Sequence, residues 1–247
     1  MSAILRAELR TMLATPTIWW LLLGTVAIGA IGTLAPLVAA DDGARYLLTD
    51  HTLQQAMHGA AAGGILVIVA GIVGMAGDWR FGRATQTFLT TPRRRRVVVG
   101  RSIAYLGVGV AYGLAAAAAA TATAWGWYRA NDVSLPLDRS AVWLTLLGCI
   151  AVAVLFGPLG VAIGGIARNQ LGAIVVTVGW LALVEPALFA ASPSLFRWLP
   201  GMASISLRRQ PTDGLLDVGP AAAVLLGVTA ALLVAGLRAV ERDDVTA

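Results

Sequence analysis

Long uncharged apolar runs dominate the chain, and short polar segments separate them. The runs fall at about residues 17–38, 59–77, 102–125, 141–167, 171–192 and 215–237. About 20 apolar residues cross a hydrocarbon core of ~30 Å as a helix, so the pattern predicts six membrane spans. Two-residue alternation is absent, which argues against a membrane barrel. The first run exceeds the roughly 7–15 residues of a signal-peptide core and is read as an uncleaved span. Ahead of it, residues 3–13 put Leu5, Leu9, Met12 and Leu13 on one helical stripe with Arg6 and Arg10 on its flank. That stripe predicts an interfacial helix over residues 1–16, lying in the headgroup plane and broken at Thr15-Pro16. Residues 193–209 are half apolar and interrupted by Pro200-Gly201, too short on either side of the break to cross. They predict a reentrant outer segment between helices five and six, tolerated where protein covers its backbone.

Composition agrees with the pattern. The 247 residues are 58% hydrophobic and 13% charged, beyond the roughly 45–50% apolar share of a soluble domain. The expected fold class is therefore all-α, a polytopic membrane protein forming one transmembrane domain over residues 1–247. All eighteen basic residues are arginine. Without lysine the chain cannot build a phosphate-binding P-loop, so no ATP site and no cofactor of its own is expected. Cys149 is the single cysteine, which rules out an intrachain disulfide.

Charge placement gives the orientation. Short arginine-rich loops resist translocation, so the segment from Gly77 to Arg96, with six of the eighteen arginines, is expected in the cytoplasm. Counting spans from there puts twelve arginines inside and six outside, with both termini cytoplasmic. Seven of the eight tryptophans then fall near membrane boundaries, Trp180 being the exception. This distribution accounts for the basic character of the chain, so a plasma membrane rather than a nucleic acid is the expected partner.

Residues 78–101 form the one sizeable inner loop and are patterned beyond their charge. Gly82 breaks the chain, Arg83 to Thr90 suit a short helix, and Pro92 stops it ahead of Arg93 to Arg96. Catalytic candidates are few. His51 and His58 are seven residues apart and lack a third ligand for a metal. Asp41-Asp42-Gly43-Ala44-Arg45 resembles the acidic motif of lipid phosphatidyltransferases, without the further downstream aspartates that motif needs. Glu185, followed by Pro186, is the one acid within an apolar run. Such a group costs about 2.5–3.5 kcal/mol at a helix centre on insertion scales. It predicts either a polar point in a translocation path or a neutral side chain bonded to the carbonyls that Pro186 frees.

Taken together, the N-terminal interfacial helix, six spans and an inner loop of acid-x-Arg-x-Gly, short helix and Thr-Pro-basic resemble the permease subunit of bacterial type-2 ABC transporters, the drug and bacteriocin-immunity exporter class. The residues carrying the resemblance are Asp78, Arg80, Gly82, Thr85, Leu89, Thr91 and Pro92, with Leu183 to Pro186 and Arg197 to Gly201 similar to that family's reentrant region. The family more often has Glu where this chain has Asp78, and Thr where it has Arg83. The resemblance implies a transport subunit rather than an enzyme, exporting substrate with ATP bound and hydrolysed by a separate ATP-binding subunit. It further implies that Gly82 to Thr91 is a coupling helix, with Asp78, Arg80, Gly82, Arg83, Thr85, Phe88, Leu89 and Pro92 docking that ATPase. Pairing as a homodimer, or as a heterodimer with a similar permease, follows from the same likeness, because six spans make a thin bundle. The competing expectations are an ion-coupled secondary carrier using Glu185, an integral membrane enzyme acting on lipids, and a membrane adaptor that does not transport.

Overall fold

The computed structural model of the protein describes residue 8 and residues 10–39, 49–80, 94–210 and 212–241. Among these residues there is helix and connecting turn but no strand. Six helical stretches are long and apolar enough to cross a membrane: Pro16–Ala39, Asp50–Trp79, Arg95–Ala130, Ser140–Ala167, Gln170–Ala191 and Val218–Glu241, called spans one to six below. The chain is an all-α, multi-pass membrane protein.

Three boundaries differ from the hydropathy reading. Span two starts at Asp50, inside what the sequence reading takes as an outer loop. Thr49 caps the new start, its hydroxyl accepting from the Thr52 amide at 3.3 Å, and Asp50 sits in the first turn, where a carboxylate faces the positive end of the helix dipole. Span three begins near Arg94 rather than at 102, so the last eight residues of the expected inner loop are two helical turns. Nothing in that stretch breaks a helix; only its charge marked it as loop. Span six is displaced a few residues toward the C-terminus, to Val218–Glu241.

Span four is the axis of the bundle. Of its most apolar window 67% is buried, against 17% for spans five and six, and it packs on spans two, three and six. Small residues make those approaches possible, because without a hydrophobic force between helices in lipid the packing must be close. The stripes Gly71–Gly74 and Gly160–Gly164 meet each other: a Cβ on Gly160 would lie 3.0 Å from the Gly71 Cα. Span one crosses the broken start of span two, where a Cβ on Gly63 would sit 2.7 Å from the Thr25 Cα. Two apolar layers result. One holds Met12, Ile72, Met75, Tyr105, Leu159 and Val240, and the other Leu37, Leu53, Met57, Tyr128 and Val142.

Residue 8 and the end of span six lie on the same face of the bundle. Glu8 meets the start of span three, and the Arg168 guanidinium donates to the Ala239 carbonyl at 2.8 Å. The tight turn there is made by Arg168 in the left-handed conformation, φ 54°, and by Asn169, whose side chain accepts from the Gly172 amide at 3.0 Å to start span five. On the opposite face Arg139 pairs with Asp50, and His58 bonds the Arg208 carbonyl at 2.8 Å. Trp19 and Trp143, at the starts of spans one and four, each donate an indole N–H to a carbonyl six residues earlier, at 3.0 and 2.8 Å. Of the expected interfacial helix, residues 10–14 are described and helical; Met12 is buried in the core, while Leu13 is exposed.

Candidate functional site

Two clusters of polar side chains lie within the bundle. The first sits at the base of the patterned loop. Asp78 lies in the last turn of span two and Arg101 lies two turns into span three, so each helix that carries the loop brings one member of a charge pair to its base. The Arg101 guanidinium donates to the Asp78 carboxylate at 2.7 Å. Its other edge forks onto both oxygens of Glu8, at 3.0 and 3.2 Å, the bidentate geometry that makes arginine–carboxylate pairs strong and directional. A fourth bond runs to the Gly74 carbonyl at 2.9 Å. The three side chains are largely withdrawn from the surface, with 8% of Arg101, 14% of Glu8 and 17% of Asp78 exposed.

One turn further in, Tyr105 lies against Gly74, where any side chain would fall on its hydroxyl. Tyr112, two turns beyond, donates to the Ile18 carbonyl and ties span three to span one. The cluster thus joins the N-terminal segment and both stems of the loop.

The second cluster surrounds Glu185. Trp180 to Val184 form one π-helical turn just before Glu185-Pro186, the kind of local widening expected where proline cannot supply the next backbone donor. The five-residue repeat of that turn puts Trp180 and Glu185 on one side, and the indole N–H donates to Glu185 Oε1 at 2.7 Å. Oε2 accepts from the amides of Gly201 and Met202 at 2.6 and 3.3 Å. Those are among the unpaired N–H groups at the start of the helix Pro200–Leu207, where an anion is favoured. Gly201 is required by this approach, since a Cβ there would strike the carboxylate.

The buried helix Pro200–Leu207 packs on spans four and six and is what remains of the reentrant reading; residues 193–196 make a further short turn of helix before it. Glu185 is fully buried, and where the bonded reading expected the carbonyls freed by Pro186, its partners are the Trp180 indole and two backbone N–H donors of another helix.

No protein-family model matches the chain, and no curated protein is significantly similar to it.

Of the residues expected to dock an ATPase, Asp78 is brought into the first cluster and Arg80 closes the helix of span two. Gly82, Arg83, Thr85, Phe88, Leu89 and Pro92, and with them the coupling helix, lie outside the described residues. Glu185 is not part of the Asp78 cluster; it bonds to the helix Pro200–Leu207. Sequence reasoning missed Glu8, Arg101 and Trp180 as members of these clusters. A signal existed for two of them: Arg101 is a charge several residues inside a helix-capable run, and Trp180 is the tryptophan that no interface explains. Among the described residues no group of three or more His, Cys, Asp or Glu could hold a metal ion.

Proposed function

We propose that this chain is the membrane-spanning permease subunit of an ATP-driven exporter, powered by a separate ATP-binding subunit that docks on residues 82–91. The face bearing Glu8, Asp78, Arg101 and Arg168 is then cytoplasmic, in the plasma membrane, because it carries the arginine-rich loop. One observation carries this reading: Arg101 fastens the end of span two, the start of span three and the N-terminal segment into a single block beneath that loop. A push delivered there would move both spans together instead of being absorbed by slack in the stems. Asp78 would act from within, holding the first stem, while Phe88 and Leu89 supply the apolar contact with the ATPase.

The carrier reading draws less support. Glu185 is fully buried and already accepts from three protein donors, so its carboxylate has a structural role that needs no transported cation.

Affinity purification of the chain from its native membrane tests the proposal. An ATP-binding subunit is expected to co-purify with the wild type and to be lost from Phe88→Asp/Leu89→Asp, with membrane insertion unchanged. Retention of the ATPase by that variant would overturn the placement of the contact, and absence of any ATPase from the wild type would overturn the function.

A further inference from the structure

A groove of about 360 Å³ opens between spans three, four and six at the end of the bundle that carries the arginine-rich loop. Its size is at the lower end for small-ligand sites. Span three contributes Val99, Ser102 and Ile103, span six Leu233 and Leu237, and Pro158 of span four lies at its back. Two hydroxyls line it, and both are turned onto their own helices: Ser102 donates to the Val98 carbonyl at 2.8 Å and Thr229 to the Leu225 carbonyl at 2.7 Å. The surface offered to an occupant is therefore hydrocarbon, which suits an alkyl chain and gives a polar solute nothing to bond.

The mouth has a different chemistry. Arg95 precedes Val99 by four residues and Ser102 by seven, and Arg96 precedes Val99 by three and Ile103 by seven. At those spacings they lie on the groove's own stripe of span three. Side chains lean toward the N-terminus of their helix, so both guanidinium groups reach away from the groove toward the headgroup layer. Both residues are exposed, and neither forms an ion pair among the described residues. Arg238 and Glu241 end the facing helix at the same side, so among the described residues the mouth has three guanidinium groups against one carboxylate.

The larger groove at the opposite end, about 580 Å³ between Trp125 and Trp143, lacks this feature. Nearby, Arg139 is held by Asp50 and Arg129 lies over the Trp125 ring at 5.4 Å.

We propose that the groove between spans three, four and six is a binding site for an anionic glycerophospholipid. One acyl chain lies along Val99, Ile103, Leu233 and Leu237, and the phosphate sits between Arg95 and Arg96. The site requires only that the chain resides in a bilayer; it stands whether or not an ATPase docks on the loop. A bound anionic lipid would brace the start of span three next to Arg101.

The full-length chain reconstituted into vesicles of equal parts phosphatidylcholine and phosphatidylglycerol, then extracted in mild detergent, tests this by mass spectrometry of the phospholipid that remains. Phosphatidylglycerol is expected to exceed phosphatidylcholine roughly tenfold in the retained lipid, a ratio within what two arginines near a membrane surface supply. Arg95→Gln/Arg96→Gln should bring the ratio close to one, and Arg95→Lys/Arg96→Lys should keep most of the preference. Ala230→Trp, which fills the groove, should remove one retained phospholipid per chain. Equal retention of the two lipids by the wild type, or an unchanged preference in the glutamine variant, would overturn the headgroup site. An unchanged lipid count in a folded Ala230→Trp variant would overturn the placement of the acyl chain.

Discussion

Arg101 is the residue on which the proposed coupling region turns. A guanidinium bonded to two carboxylates and a backbone carbonyl is stable in a largely dry site only while those partners remain. Arg101→Met leaves Glu8 and Asp78 facing each other without a cation and is expected to cost about 3–5 kcal/mol, the usual penalty for removing one side of a buried pair. Thermal unfolding in detergent measures it. The triple variant Glu8→Gln/Asp78→Asn/Arg101→Met should recover much of the loss, because it removes the charges along with their partner. An Arg101→Met protein as stable as the wild type would show that the pair contributes nothing. At this scale the sequence was only half legible. Asp78 stood out as the acid of the loop motif, but it pointed outward in that reading, toward another protein. Its turn inward depends on Arg101, 23 residues away, and on Glu8, 93 residues from Arg101, and no spacing rule links such positions.

Among the elements, the helix Pro200–Leu207 depends on a side chain that belongs to another. Glu185 on span five satisfies the first amides of that helix, and Trp180 holds the carboxylate from the other side. Leaving a buried donor without its acceptor costs about 1–3 kcal/mol. Glu185→Gln replaces one accepting oxygen with a donor and should lower stability by about that amount, with circular dichroism melts as the readout. No change in the melt would mean that the helix start is held by something other than Glu185. Hydropathy read the existence of the spans correctly, because length and apolarity decide it. It misjudged their ends, because Thr49-Asp50 is polar yet caps a helix, and the charges of Arg94, Arg95 and Arg96 do not keep that stretch from being helical. The Gly71 and Gly160 stripes were visible as small-residue spacing, but which stripe meets which was not. That pairing follows from span four lying at the centre, which only the three-dimensional arrangement reveals.

For the whole molecule, a bundle of five spans around span four leaves spans one, five and six with broad apolar faces. Lipid covers such faces readily, and a second copy would leave room for a path between the two. The orientation of the bundle decides whether an ATPase can reach the loop at all, and the chain permits a direct measurement. Its single cysteine, Cys149, is buried, so a cysteine placed at Thr85 in a Cys149→Ser background gives a membrane-impermeant maleimide one target. The exposed Ser134, in the turn between spans three and four, supplies the control on the opposite face. The account predicts that Ser134→Cys is labelled in intact cells and that Thr85→Cys is labelled only after the membrane is permeabilised. Labelling of Thr85→Cys in intact cells would put the loop outside and contradict the account.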